Sequence, residues 1–184
     1  MAAAVVLGDH VPAGVGDSKA ISAKRRAALD EELRATCHWA VAVVDAPEID
    51  RLNIFQATME AMTRCVRDLV AGLPRPPEIV LIDGNQTPER RCDEWCWPAR
   101  AIVGGDASEA CIGAASIIAK EWRDRIMIEA AARHPHYGWD RNKGYGTAEH
   151  KQALRDHGPT PLHRHSFAPV AQAAGRIATK APLH

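Results

Sequence analysis

Blocks of apolar and polar positions along the chain predict interleaved strands and helices. The run Ala2 to Leu7 ends in Val-Val-Leu and reads as a buried strand. A turn-like stretch, 8–16, follows it and contains Pro12, Gly14 and Gly16. Ser22 is placed to cap a helix that runs through Lys24-Arg25-Arg26 to about Ala35. Trp39 to Val44 reads as a second strand, and Pro47 to Asp50 opens a short helical turn. Ile54, Ala57, Ala61, Cys65 and Leu69 recur at spacings of three and four, which predicts an amphipathic helix. Gly72 ends it, and Pro74, Pro76 and Pro77 prevent its continuation.

A third strand is expected over Glu78 to Asp83 and a short fourth over Ala101 to Val103. The polar stretch between them, including the Arg-, Trp- and Cys-rich segment Arg90 to Pro98, reads as a surface loop. The strongest helix is expected over about 109–132, with Ile112, Ala115, Ala119, Trp122, Ile126 and Ala130 as its buried stripe. A loop rich in glycine and aromatic residues, 134–147, precedes helices over about 148–156 and 167–177. Strands interleaved with helices argue for an α/β fold, read here as a single domain over 1–184 with 148–184 as a helical C-terminal extension.

Composition adds little to this picture. The chain has 184 residues and zero formal net charge, so any affinity for nucleic acid must come from local patches. Five scattered cysteines, an odd number, do not suggest a disulfide scaffold and suit a reducing, cytoplasmic compartment. No apolar run is long enough to span a bilayer, and no membrane partner is expected.

Three features carry chemistry. In Leu81-Ile-Asp-Gly-Asn85 a carboxylate closes an apolar strand and a glycine frees the backbone to turn. Strand ends are where α/β sheets place catalytic groups; an ordinary Asp-Gly turn is the plainer alternative. In Val103-Gly-Gly-Asp-Ala-Ser108 a second carboxylate follows a short strand just before a long helix, whose positive end favours negative charge, although Asp106 or Ser108 could simply cap that helix. Taken together, Asp83 and Asp106 could share a hard divalent cation of the kind that assists phosphodiester hydrolysis. The third feature is the stretch Arg133 to His165, where basic residues and six histidines interleave with Tyr137, Trp139 and Tyr145. Positive charge with exposed rings suits a nucleic-acid backbone and its sugars, whereas a solvated histidine-rich surface is the alternative. Cys92 and Cys96 have a spacing usable for zinc but lack a second pair, so they read as loop thiols.

At these residues the chain resembles bacterial ribonuclease HII. The matching segments are Gly16-Asp-Ser-Lys19, Glu48 to Ile54, Ala57 to Met62, Leu81 to Asn85, Gly105-Asp106, Ala114 to Lys120 with Arg123-Asp124, Tyr137-Gly138, Lys143-Gly-Tyr-Gly-Thr147 with His150, and His163-Arg164 with Ser166 to Val170. They follow the family's order through to about Val170. The resemblance implies a ribonuclease H-like fold, a central mixed β-sheet flanked by helices. It also implies hydrolysis of the RNA strand of RNA:DNA hybrids and incision 5′ to ribonucleotides in duplex DNA, with Mn2+ or Mg2+ as cofactor and a monomer as the working form. Two of the family's four carboxylates fall on Asp83 and Asp106, with Asp124 a weaker neighbouring candidate. Lys19 should contact a backbone phosphate. Tyr145, a ring between two glycines, should pack on the sugar at the RNA–DNA junction.

The chain departs from the family in one respect of consequence. The Asp-Glu-Ala-Gly-Arg-Gly turn, which supplies the other two carboxylates and reads the 2′-hydroxyl, occurs nowhere in the 184 residues. The chain is therefore expected to lack the sheet's first strand, to be inactive or nearly so as written, and to be marginally stable. A smaller departure is Glu121-Trp122, expected to be a repacking and not a substitute ligand. The competing reading is a non-catalytic nucleic-acid-binding fragment; a small zinc protein built on Cys92 and Cys96 is a third.

Overall fold

The computed structural model describes residues 1–16, 18 and 20–180, with 176–180 as backbone only. Strand β1 (Ala2–Val6) is followed by α1 (Ala23–Thr36), β2 (His38–Ala42), α2 (Ala46–Leu52) and α3 (Ile54–Ala71). Then come β3 (Val80–Asp83), β4 (Ala99–Ile102), the short α4 (Gly105–Ser108) and the long α5 (Ala110–Arg133). A 3-10 turn (Pro135–Tyr137), α6 (Trp139–Asn142), α7 (Ala148–His157) and α8 (Ala168–Lys180) complete it.

The local rules of the sequence account for these starts and stops. Ser22 caps α1, its Oγ accepting from the Arg25 amide at 3.3 Å. Asp45 caps α2 in the same way through the Glu48 amide at 2.8 Å. Four members of the expected α3 stripe, Ala57, Ala61, Cys65 and Leu69, are buried, whereas Ile54, at the first position of the helix, is 55% exposed. Strand β4 begins two residues before its expected position, because the Pro98 carbonyl already accepts from the Val80 amide at 2.8 Å. Val103, expected inside the strand, is 81% exposed.

The described residues form two compact units. The first comprises 1–44 and 55–122 and contains all four strands. β1 pairs antiparallel with β2, Ala4 opposite Ala40; β3 pairs parallel with β4, Asp83 opposite Ile102. Both pairing senses are present, as a mixed sheet requires, but the described strands form two separate two-stranded sheets. Between them lies a cavity of about 490 Å3. Its walls are β1 and β3, and Met62, Val66 and Leu69 of α3 and Ile112, Ala115 and Ala119 of α5 also line it. This explains a correction to α5. The stripe expected to be buried includes Ala115 and Ala119, which face the cavity and are only half-buried. The fully buried face is the adjacent one, Ala114, Ile117 and Ile118, packed on Leu29 and Leu33 of α1. The segment 90–98 is also more than a surface loop. Cys92 and Trp95 are buried in a cluster with Met59, Val66 and Ile82, and Trp95 Nε1 donates to the Trp97 carbonyl at 2.7 Å.

The second unit comprises 45–54 and 123–184, so the division between the units falls within α5. Its core is Ala130, Ala131, Tyr137, Trp139, Ala153, Leu154, Val170 and Ala173. Here the expectation of exposed rings is overturned for two of three: Tyr137 is 3% exposed and Trp139 1%, stacked with ring centroids 4.9 Å apart. The apolar faces of α7 and α8 need a large partner, and these two rings supply it. Only Tyr145, at 54%, stands out in solvent.

Candidate metal centre and nucleic-acid interface

Asp83 is the last residue of β3 and Asp106 lies in the first turn of α4, just beyond β4. Because β3 and β4 are parallel neighbours, both carboxylates leave the same end of one sheet. Ile82, one residue earlier in the period-two alternation, is buried at 5%, and Asp83 is exposed. The turn after β4 is tied directly to Asp83. The Gly105 amide donates to Asp83 Oδ1 at 3.0 Å, and the Gly84 amide donates to the Ile102 carbonyl at 2.9 Å. Gly104, at φ +68°, makes the left-handed step that brings α4 round. A Cβ on Gly105 would stand 2.6 Å from Ile112 Cδ1, so a larger residue here would need the end of the Ile112 side chain to shift.

A second approach brings Gly16 and Ser18 to the same corner. An added Cβ on Gly113 of α5 would meet the Asp106 carbonyl oxygen at 3.0 Å and Gly16 Cα at 3.1 Å. Ser18 and Ser116 share a hydrogen bond at 2.7 Å, and Arg26 Nη1 donates to the Ser18 carbonyl at 3.2 Å. Arg26 in turn pairs with Glu121 at 2.6 Å, both side chains largely buried. Glu121 thus orients the arginine that holds this segment, in keeping with its reading as a repacking. Lys19, the expected phosphate contact, lies outside the described residues. Ser116 and Arg26 fall in the segments Ala114 to Lys120 and Lys24-Arg25-Arg26, which carry the resemblance, but sequence alone assigns them no role and does not single out Gly113; a glycine and a serine on the inner side of a helix are the signal that was available.

Two carboxylates at one sheet end suit a hard cation that keeps water and takes substrate phosphate oxygens, and they are too few for a closed protein site. Among the described residues, no group of three or more His, Cys, Asp or Glu side chains is placed to hold a metal. Cys92 is buried and Cys96 exposed, both as free thiols. Asp124 is 8% exposed on the part of α5 that belongs to the second unit.

In the second unit, Tyr145 sits on a loop shaped by Lys143 at φ +50° and Gly144 at φ +80°. The Arg123 guanidinium lies over its ring at 4.5 Å, putting positive charge beside an exposed aromatic face. His150 and His163, expected on the surface of this region, are instead buried at 6% and 7%. Asp50, quoted within a motif but given no role, accepts from the His165 amide at 2.7 Å, the Ser166 amide at 2.8 Å and Ser166 Oγ at 2.5 Å. These bonds, the serine hydroxyl's foremost, hold the Asp50 carboxyl below the usual carboxylate range.

The comparisons with known proteins bear on both regions. The family model described as Ribonuclease HII matches residues 1–170. The Ribonuclease HII of Erythrobacter litoralis is 65% identical over 172 residues, 94% of this chain and 81% of that protein. The crystal structure of the ribonuclease H2 from Pyrococcus horikoshii OT3 has the same fold, with a TM-score of 0.75 at 19% identity over 97% of this chain and 99% of that one. Bst-RNase HIII in complex with Mn2+ gives a TM-score of 0.71 at 22% identity, over 88% of this chain and 58% of that one. The expected ribonuclease H-like fold is therefore the observed one. The family match spans 1–170, a range that includes the Asp83–Asp106 corner and the Tyr145 loop, and on the strength of that match and its relatives this chain belongs to the ribonuclease HII family.

Proposed function

We propose that the function of this chain's family, and of this chain with it, is that of an endonuclease that hydrolyses the RNA strand of RNA:DNA hybrids and incises 5′ to ribonucleotides in duplex DNA. The reading rests above all on the placement of Asp83 and Asp106 at one end of the β3–β4 pair, tied through the Gly105 amide. Those two carboxylates would hold Mn2+ or Mg2+, which when bound activates water and stabilises the leaving oxygen. Bst-RNase HIII, which shares this fold, has been solved in complex with Mn2+, which favours a divalent metal of this kind. Asp83, fixed at one oxygen, orients its carboxylate toward the sheet end. Lys19 would bind a backbone phosphate, and Tyr145 would pack its exposed ring on the sugar at the RNA–DNA junction. A monomer acting in the cytoplasm completes the proposal. Among the described residues, no helix is long and apolar enough to cross a membrane.

The finer proposal concerns the 184-residue polypeptide itself. It carries two carboxylates where the resemblance implies four, and its two sheets are separated by an apolar cavity that ends at Asp83. A strand in that position would have backbone partners on both sides and could bring further acids beside Asp83. Without one, the polypeptide should bind hybrids but cleave them feebly. The test is incubation with a duplex carrying one embedded ribonucleotide, with Mn2+ or Mg2+, alongside a binding titration at several salt concentrations. Salt-weakened hybrid binding with residual cleavage is the expected result. Robust Mg2+-dependent incision would overturn the proposed inactivity, and no preference for hybrid over DNA duplex would overturn the nuclease reading. Binding with no cleavage at all in Mn2+ would favour the second reading, a non-catalytic binding fragment, which the exposed Tyr145–Arg123 pair also supports.

A further inference from the structure

Two buried histidines sit behind the Tyr145 loop, and their hydrogen bonds can be assigned atom by atom. The Thr160 backbone amide, which can only donate, lies 2.9 Å from His163 Nδ1, and Thr160 Oγ1 lies 3.0 Å from the same atom. His163 Nδ1 is therefore the lone-pair nitrogen, and the ring's hydrogen is on Nε2. That nitrogen is 3.1 Å from His150 Nε2. The Trp139 indole, also a donor only, points at the same His150 nitrogen at 3.3 Å. His150 Nε2 therefore accepts from both, and the hydrogen of its ring is on Nδ1. His150 Nδ1 is 3.0 Å from the Tyr145 carbonyl, which can only accept. All four ring nitrogens are used, in one direction, with both rings neutral. Burial, and after it the neighbouring His150, push the His163 imidazole down to about 4, in keeping with that neutral state.

The end of this relay is a single backbone carbonyl. Tyr145 O accepts from His150 Nδ1 and from the Thr147 amide at 2.8 Å, while the Tyr145 amide donates to the Asn142 carbonyl at 2.8 Å. Asn142 Oδ1 takes the Gly144 amide at 2.9 Å. With a glycine on either side of it, Tyr145 has little local restraint from its neighbours' side chains. The His150 bond links this peptide to the buried core of the second unit from the carbonyl side, as buried Asn142, whose Nδ2 donates to the Tyr137 carbonyl at 2.6 Å, does from the amide side.

We infer that His150, set by His163 and Trp139, is a positioning residue that fixes the Tyr145 peptide and so aims its exposed ring for the RNA–DNA junction. The inference rests on the sugar-contact reading of Tyr145. It makes His163 the residue that dictates which nitrogen of His150 carries the hydrogen, and it gives the motif histidines a role that touches neither metal nor substrate.

Two substitutions separate positioning from mere core filling. In His150→Asn the amide nitrogen replaces Nδ1–H and can still donate to Tyr145 O, but the acceptor for Trp139 and His163 is lost. In His150→Gln the side-chain oxygen replaces Nε2 as acceptor, but the donor to Tyr145 O is lost. The readouts are backbone amide exchange at Tyr145 and Thr147, thermal stability, and the ratio of hybrid to DNA-duplex affinity. His150→Gln should speed exchange at those two amides about three- to tenfold and lower the affinity ratio by a similar factor, with the smaller loss of melting temperature. His150→Asn should rescue loop protection while melting at the lower temperature. If the two variants shift loop exchange and melting temperature in parallel, His150 is only core and the inference fails. Tyr145→Ala tests the underlying reading separately: an unchanged affinity ratio there sinks the sugar contact, while the exchange data still decide whether His150 holds the loop.

Discussion

At the end of β3, Asp83 stands exposed beside a buried glycine, with its carboxylate directed by one backbone amide. Around α7, Tyr137, Trp139, His150 and His163 carry as much chemical potential but are each less than a tenth exposed. Both regions place titratable side chains in motifs that the sequence marks out. In the first, small residues bring backbone close and leave the charge free to meet a cation. In the second, large rings exclude water and turn the polar nitrogens inward onto one another. A buried polar group must find a partner, and these histidines and the indole N–H find one another and the backbone. On the readings proposed above, the carboxylate corner would serve binding, and the histidine–aromatic cluster would hold a neighbouring loop still.

The strongest way to separate the two regions is to empty the second. Trp139→Ala removes the most buried large ring and should cost about 3–5 kcal/mol in the second unit. Denaturant unfolding followed by amide exchange should show that loss at α7 and α8, with Mn2+ affinity at Asp83 little changed. A loss spread evenly over both regions would blur the comparison.

Acid acts on the same region more gently. His163 titrates at about 4 in the fold against an ordinary value of 6.5, so the unfolded chain binds more protons between those values. Its contribution is therefore fully present above about pH 6.5 and declines as pH falls toward 4, by about 2 kcal/mol once solvent screening is allowed for. Besides His150, the groups around it include His134, Tyr137, Trp139 and His165, so His163→Gln should flatten this part of the stability profile without removing every slope. A profile unaffected by His163→Gln would show that another group governs it.

The smallest effect belongs to the carboxylate corner. Gly113→Ala forces a methyl against the Asp106 carbonyl and the Gly16 backbone, which costs about 2 kcal/mol, while the better helix propensity returns about 1. A net loss of about 1 kcal/mol should come with faster exchange at Gly16 and Ser18 and no change around Tyr145. A net gain would mean that this close approach is not constrained.

The sequence made Asp83 stand out as a candidate because a charged residue ends an otherwise apolar run, and Asp106 because it follows a short strand just before a long helix. It made α1 legible through a serine cap, and α3 through a stripe at spacings of three and four and a glycine stop. Strand β4 was displaced because four residues following a proline hold too little periodicity to fix register. The burial of Tyr137 and Trp139 was missed because local charge density masks what only the facing helices determine. Ala153 and Leu154 on α7 with Val170 and Ala173 on α8 were the readable sign that large partners were needed. The segment 90–98 was misjudged for the same reason: its polar residues hid two side chains that complete a core cluster.

The central claim is that Asp83 and Asp106 act as one cation site. Mn2+ affinity measured by calorimetry on the chain, on Asp83→Asn, on Asp106→Asn and on the double variant tests it most directly. Each single change should weaken binding by about tenfold or more, and the double should be no weaker than the worse single within about twofold, since either loss already opens the shared site. Losses that multiply in the double variant, or an affinity indifferent to Asp83, would contradict it.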